Sequence, residues 1–202
     1  MPTTTCLLIT TNRQNRLKYC EDTIRSIENS NFLFDKRILS VDILPGEDED
    51  TISFFNKFCE WEIYFGIHGD LNSHQNSALK KIDTDYLFYC EDKVRIIDIP
   101  SKENIEKILN NFYYICFNMH IVENFCEPDQ KYLDYINNIN NYIKINNDLI
   151  FKKDWKLADN YYINFPVCLT HTKLFKEVHK KAMIKYPKHA AEVAMSKIWL
   201  ED

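Results

Sequence analysis

The feature that most constrains this chain is a fourfold alternation within its first 90 residues. CLLIT (6–10), RILSVDIL (37–44), WEIYFGI (61–67) and DYLFYC (85–90) are short, apolar and rich in β-branched or aromatic side chains. Runs of that length and kind read as strands. Between them, apolar residues recur three and four apart, the spacing of one helix face. Leu17, Cys20, Ile24 and Ile27 do so, as do the aromatic residues of TISFFNKF (51–58) and Ala78, Leu79 and Ile82 of HQNSALKKI (74–82). A helix between successive strands carries the chain back across the sheet, so the strands run parallel. DYLFYC shows no in–out alternation, as befits a central strand covered on both faces. The expected fold class is α/β, an open, mostly parallel sheet flanked by helices.

Open sheets of this kind bind ligands at the carboxyl ends of their strands. The loops at 11–16, 42–50, 68–73 and 91–95 would gather along that edge and place Asn12, Arg13, Asp42, Glu91 and Asp92 around one cleft. The stretch TDYLFYCEDKV (84–94) is informative, because its apolar run ends in two acids, Glu91 and Asp92, followed by Lys93. Carboxylates at such a position suit a metal or a polar ligand, and a cation beside them does not fit simply with either.

The second half is less regular. Residues 102–125 carry apolar side chains at helical spacing, with a short strand possible at 113–117. The asparagine-rich 134–151 reads either as a polar helix or as two short strands joined by Asn-Asn turns. NYYINFPVCLTHTKLF (160–175) reads as a late strand leading into a helix, and 187–202 as a closing helix. No Gly- or Pro-rich linker interrupts the sequence, so one domain spanning 1–202 is expected.

Several function classes are disfavoured. A net charge of −5 gives no general attraction to nucleic acid or an anionic membrane. KVR (93–95) and FKEVHKK (175–181) cluster positive charge, but solvated faces account for both. No apolar stretch approaches the roughly 20 residues of a membrane span, and the amino terminus lacks a signal-peptide pattern. The seven cysteines contain no CxxC pair and read as buried thiols of a cytoplasmic protein. Neither GxGxxG nor GxxxxGK[ST] occurs, nor HExxH, nor GxSxG. The six histidines show no paired ligand spacing.

The order of the amino-terminal pieces resembles the GT-A-fold glycosyltransferases, in particular family-two-like enzymes that use nucleotide sugars. CLLITTNRQNRLKYCEDTIRSI (6–27), ILSVDILPGEDEDT (38–51) and SHQNSALKKIDTDYLFYCEDKV (73–94) match the family's opening strand, turn and helix, its Val-Asp strand end, and its helix and strand before the acidic motif. The likeness covers about the first 95 residues, and the remainder only loosely. It implies a single GT-A-like domain with an open mixed sheet. Residues 1–95 would form the nucleotide-sugar-binding half and 96–202 the acceptor side. The implied activity moves a sugar from a nucleotide-diphosphate donor, UDP-linked by preference, to a carbohydrate-like acceptor.

Carried over by position, the resemblance puts Thr10, Thr11, Asn12 and Arg13 in the nucleotide pocket, with Asp42 accepting a hydrogen bond from the base. Glu91 and Asp92 fall on the acidic motif, which implies Mn²⁺ or Mg²⁺ bridging them to the diphosphate. Lys93 stands where the family has an acid. Either the two acids keep the metal, or Lys93 itself meets the diphosphate, or the site is degenerate and binds without turnover. Glu192, in HAAEVAMSKIW, is the match for the base that deprotonates the acceptor hydroxyl. His171 and His189 are weaker candidates for acceptor or phosphate contacts. A nucleotidyltransferase is the less favoured rival, since TTNRQNR (10–16) has no glycine.

Overall fold

The computed structural model describes residues 2–12, 16–43, 48–67, 71–92, 94, 96, 99–110, 114–116, 142–145, 148–151, 167–189, 194–195 and 197–198. The first half alternates as its apolar pattern requires: β1 (Thr4–Thr11), α1 (Arg16–Glu28), β2 (Lys36–Ile43), α2 (Asp48–Phe55), β3 (Glu62–Ile67), α3 (Leu71–Leu79) and β4 (Tyr86–Glu91). Then come α4 (Lys102–Leu109), β5 (Tyr114–Cys116), β6 (Tyr142–Ile145), β7 (Asp148–Phe151), β8 (Val167–His171) and α5 (Thr172–Lys185).

Six strands form one sheet in the order β3-β2-β1-β4-β8-β5. β3, β2, β1 and β4 are mutually parallel, and β8 is antiparallel to both β4 and β5. β6 and β7 pair separately as an antiparallel ribbon. Alternation along the strands sorts side chains into two apolar layers. Cys6, Leu8, Leu39, Val41, Phe88 and Cys90 meet α1, α2 and α4 through Ile24, Phe55 and Ile105. Leu7, Ile9, Ile38, Leu87 and Tyr89 meet α3 and α5 through Leu79, Phe175 and Val178. Each such buried aliphatic or aromatic side chain contributes about 1.5–3 kcal/mol.

The differences from the sequence reading lie mostly at element ends. α2 begins at Asp48, three residues before the expected Thr51, and Glu49 and Asp50 near its start suit the positive end of a helix. α3 occupies 71–79 rather than 74–82, and Lys81 and Ile82 close it with backbone bonds to Ala78 and Leu79. The helical spacing expected from 102 onward forms α4, which ends at Leu109, and the short strand expected near 113–117 is β5. Asn110 and Asn111 follow, and then the aromatic run whose β-preference yields β5. Ser101 caps α4 by accepting from the Asn104 amide at 3.3 Å. Of the two readings of 134–151, paired short strands form over Tyr142–Ile145 and Asp148–Phe151, and 134–141 and 146–147 lie outside the described residues.

Cys6, Cys20, Cys90 and Cys168 are buried free thiols as expected, and burial pushes the first three well above the ordinary thiol range. Cys59 departs from the expectation, being exposed. No helix among the described residues is long and apolar enough to cross a membrane.

Candidate functional site

β1 lies between β2 and β4, so the strand order reverses at its carboxyl end: the chain builds outward through β2 and β3 on one side, then returns to β4 on the other. A reversal of that kind is where open sheets of this class place their ligand crevice. The register defines its floor. Thr11 stands beside Asp42, Asp42 beside Gly66, and Ile9 beside Glu91. Asn12, 2% exposed, stitches the ends together, its amide donating to the Asp42 carbonyl at 3.2 Å and its Nδ2 to Thr51 Oγ1 on α2 at 2.9 Å.

Residues facing α1 form one side of the edge. Thr10 Oγ1 donates to Asp92 Oδ2 at 2.7 Å, and Arg16, the first residue of α1, donates through Nη1 to Asp92 Oδ1. The Asp92 side chain is only 4% exposed, against 34% for Arg16. The Asp92 amide is also fixed, to the Ile9 carbonyl at 3.1 Å. The chain beyond β4 then follows α1: the Val94 amide donates to Thr23 Oγ1 at 3.2 Å and the Ile96 amide to Ser26 Oγ at 3.0 Å. Both hydroxyls donate onward to helix carbonyls, of Tyr19 and Thr23 respectively. Hydroxyls on one face of α1 thereby anchor the acidic segment.

Arg16 did not emerge from the sequence as a site residue, although a signal was present. A cation in the first turn of a helix is disfavoured by the helix dipole. A guanidinium placed there needs a carboxylate partner, and Asp92 supplies it.

Residues facing α3 form the other side, with Thr11, Ser40 and Asp42 alternating onto it. Asp42 is 3% exposed, and its Oδ1 is buried without a hydrogen-bond partner among the described residues, as is Thr11 Oγ1 next to it. Below them Ser40 Oγ and His74 Nδ1 lie 2.7 Å apart. Gly66 makes room for the His74 ring, since a Cβ on that residue would come within 1.6 Å of His74 Cδ2. His74 Nε2 is buried with no hydrogen-bond partner among the described residues. Burial lowers the His74 pKa, opposed by the charge of Asp42 and by the Tyr64 carbonyl. A neutral imidazole therefore sits under a buried carboxylate. Glu91 belongs to this side too, following Tyr89, whose hydroxyl donates to Glu91 Oε1 at 3.3 Å.

The placement bears on a shared metal. Glu91 and Asp92 leave the strand toward opposite faces, and both Asp92 oxygens accept hydrogen bonds from protein groups. Among the described residues no three His, Cys, Asp or Glu side chains converge where one ion could sit. A hard divalent cation needs several oxygen ligands at once, and the printed contacts of the two acids lie on opposite faces of β4. Arg13, Lys93 and Glu192 lie outside the described residues. His171 sits at the opposite edge of the sheet, paired with Tyr86 at the start of β4, and its Nε2 lies 3.2 Å from the Leu109 carbonyl. β8 runs antiparallel, which carries its last residue away from the crevice. His189 Nε2 lies 3.0 Å from Lys197 Nζ.

No protein-family model matches the chain, and no curated protein matches it in sequence. Solved structures do match in fold. S. aureus TarS 1–349 in complex with UDP aligns at TM-score 0.57 and 12% identity, over 98% of this chain and 55% of that one. A 4-diphosphocytidyl-2C-methyl-D-erythritol synthase from Anaerococcus prevotii aligns at TM-score 0.54 and 11% identity, over 98% of this chain and 82% of that one. The chain thus spans about half the length of the TarS fragment and most of the synthase. Its open mixed sheet has a GT-A-like fold.

Proposed function

We propose that the chain is a glycosyltransferase that takes a sugar from a nucleotide diphosphate, UDP by preference, and passes it to a carbohydrate-like acceptor. The observation that carries this reading is the buried, unpartnered Oδ1 of Asp42 beside the unpartnered Thr11 hydroxyl, at the crevice where the strand order reverses. An unmet buried acceptor costs stability, and a ligand that donates an N–H would remove the cost. Uracil carries such a donor in its ring imide. The fold's likeness to TarS solved with UDP supports the same choice of ligand.

In this reading Asp42 accepts from the base and Thr11 meets the nucleoside. Asn12 keeps the ends of β1, β2 and α2 in register beneath it. Glu192 takes the proton of the acceptor hydroxyl as that oxygen bonds to the anomeric carbon. The bond from that carbon to the diphosphate oxygen breaks, and the nucleoside diphosphate leaves with the electron pair. Lys93 and Arg13, neighbours in sequence of the two strand ends, are proposed to meet the donor's charged part.

A second reading, nucleotidyl transfer, is favoured by the synthase, of whose chain a larger share is covered. The glycine-free TTNRQNR turn disfavours it. A thermal-shift panel of UDP, UDP-sugars, CTP and UTP, followed by product analysis with simple acceptors, separates the readings. Stabilisation by UDP or a UDP-sugar, with release of nucleoside diphosphate, supports glycosyl transfer. Pyrophosphate release from a triphosphate would replace it with nucleotidyl transfer. Binding without any release would mark a degenerate transferase, and no shift with any nucleotide would sink the proposal.

A further inference from the structure

Building on the nucleotide reading, we propose that Arg16, clamped by the buried Asp92, is the protein's own cation at the diphosphate position, so that donor binding does not require a divalent metal. Asp92 is the best-placed carboxylate at the end of β4, yet its oxygens are held by Arg16 and by the Thr10 hydroxyl at 2.7 Å. A metal bound there would have to displace the guanidinium and then sit beside it, two cations sharing one carboxylate. Glu91 gives no help from the other face of the strand, where its Oε1 accepts from the Tyr89 hydroxyl.

Arg16 is suited to the task in three ways. A guanidinium has five N–H donors in a planar fork, so the one edge that meets Asp92 leaves others for phosphate oxygens, and a third of the side chain remains exposed. It occupies the first residue of α1, where the helix dipole already favours an anion. It is also fixed in place. Three ties hold the β4 end to α1, namely Arg16 to Asp92, the Val94 amide to Thr23 and the Ile96 amide to Ser26. The unpartnered Asp42 Oδ1, on the far side of β1, independently marks the crevice as one built for a ligand.

The test compares UDP with uridine, because only UDP carries the diphosphate. Titration calorimetry of the full chain in EDTA should give a clear UDP affinity that Mn²⁺ changes by less than about threefold. In the double variant Arg16→Gln/Asp92→Asn, which removes both charges and leaves no buried ion alone, UDP affinity should fall about tenfold or more. Uridine affinity should stay the same. A merely structural role for the pair would weaken uridine and UDP alike, and that result would overturn the proposal. So would wild-type UDP binding that vanishes in EDTA and returns with Mn²⁺, an arm that needs no variant to fold. Binding of neither uridine nor UDP under any condition would instead defeat the nucleotide reading itself, and this inference with it.

Discussion

Asp42→Asn should make the protein more stable and a poorer nucleotide binder. Asp42 is 3% exposed, and its Oδ1 has no hydrogen-bond partner among the described residues. Leaving a buried polar group unmet costs about 1–3 kcal/mol, and more when it is charged. Asparagine has nearly the same volume, so it relieves the charge without making a cavity. The expected gain is about 1–3 kcal/mol, and at roughly 2–4 °C per kcal/mol for a chain of this length Tm rises by several degrees. Binding moves the other way. Hydrogen bonds to a charged acceptor are about twice as strong as neutral ones, so uridine or UDP affinity should drop about tenfold. Paired differential scanning calorimetry and titration calorimetry read both effects. His74 provides a third check, since the charge of Asp42 raises its pKa and the variant should lower it further, visible by NMR. A variant destabilised by more than about 1 kcal/mol would show that the carboxylate has a favourable role in the folded apo protein. Unchanged nucleotide affinity would show that no ligand meets it.

Gly66→Ala should cost about 2–5 kcal/mol, combining overpacking with loss of a buried hydrogen bond. The new methyl would lie 1.6 Å from His74 Cδ2, driving the ring from Ser40. Urea unfolding measures the loss, and adding His74→Ala should restore part of it; no recovery would mean that the glycine serves some other need. Acid should weaken the fold through His179, whose burial on α5 lowers its pKa from 6.5 to about 4. The unfolded chain binds the proton more readily, so this contribution is complete above pH 6.5 and is lost as the pH falls toward 4. It amounts to about 3 kcal/mol. His179→Leu should flatten the stability profile across that window, and an unchanged acid slope would refute the assignment.

The parallel half of the sheet was legible because each of its strands is a continuous apolar run and each connecting helix shows a 3.6-residue period. Leu7, Leu39 and Leu87 need no knowledge of their partners to be recognised as core. The acids at the end of β4 were legible in the same way, since a change from Cys90 to Glu91 marks the point where a strand leaves the interior. What could not be read was direction. Whether Glu91 and Asp92 share a face depends on where the strand ends and the turn begins, and a shift of one residue exchanges the faces. Arg16 was illegible for a related reason. Its partner lies 76 positions away, and such long-range pairs leave only an indirect trace in the sequence, here a cation where a helix prefers an anion. The antiparallel insertion of β8 beside β4 also has no local signature, because VCLTH would look the same in either orientation.

The two faces of the crevice differ in a way that bears on how a nucleotide would lie in it. Toward α1 the polar groups are mutually satisfied: Thr10 and Arg16 meet Asp92, and Thr23 and Ser26 meet the amides beyond β4. Toward α3 the Thr11 hydroxyl and Asp42 Oδ1 are buried and unmet. A satisfied network is a rigid support, and an unsatisfied one is a place for a ligand. The unmet acceptors lie at the ends of β1 and β2, and the exposed part of Arg16 lies across β1 beside the end of β4. Strands are about 4.8 Å apart, so along the sheet the ends of β2 and β4 lie about 10 Å apart. That is the reach of a nucleoside from base to phosphate. A ligand laid across the end of β1 would thus bring a neutral N–H donor to Asp42 and an anion to Arg16. A free sugar offers hydroxyls but no anion, and inorganic diphosphate offers the anion but no base. Only a molecule with both ends answers both faces, which is why uridine and UDP, compared directly, are the pair that divides the site into its parts.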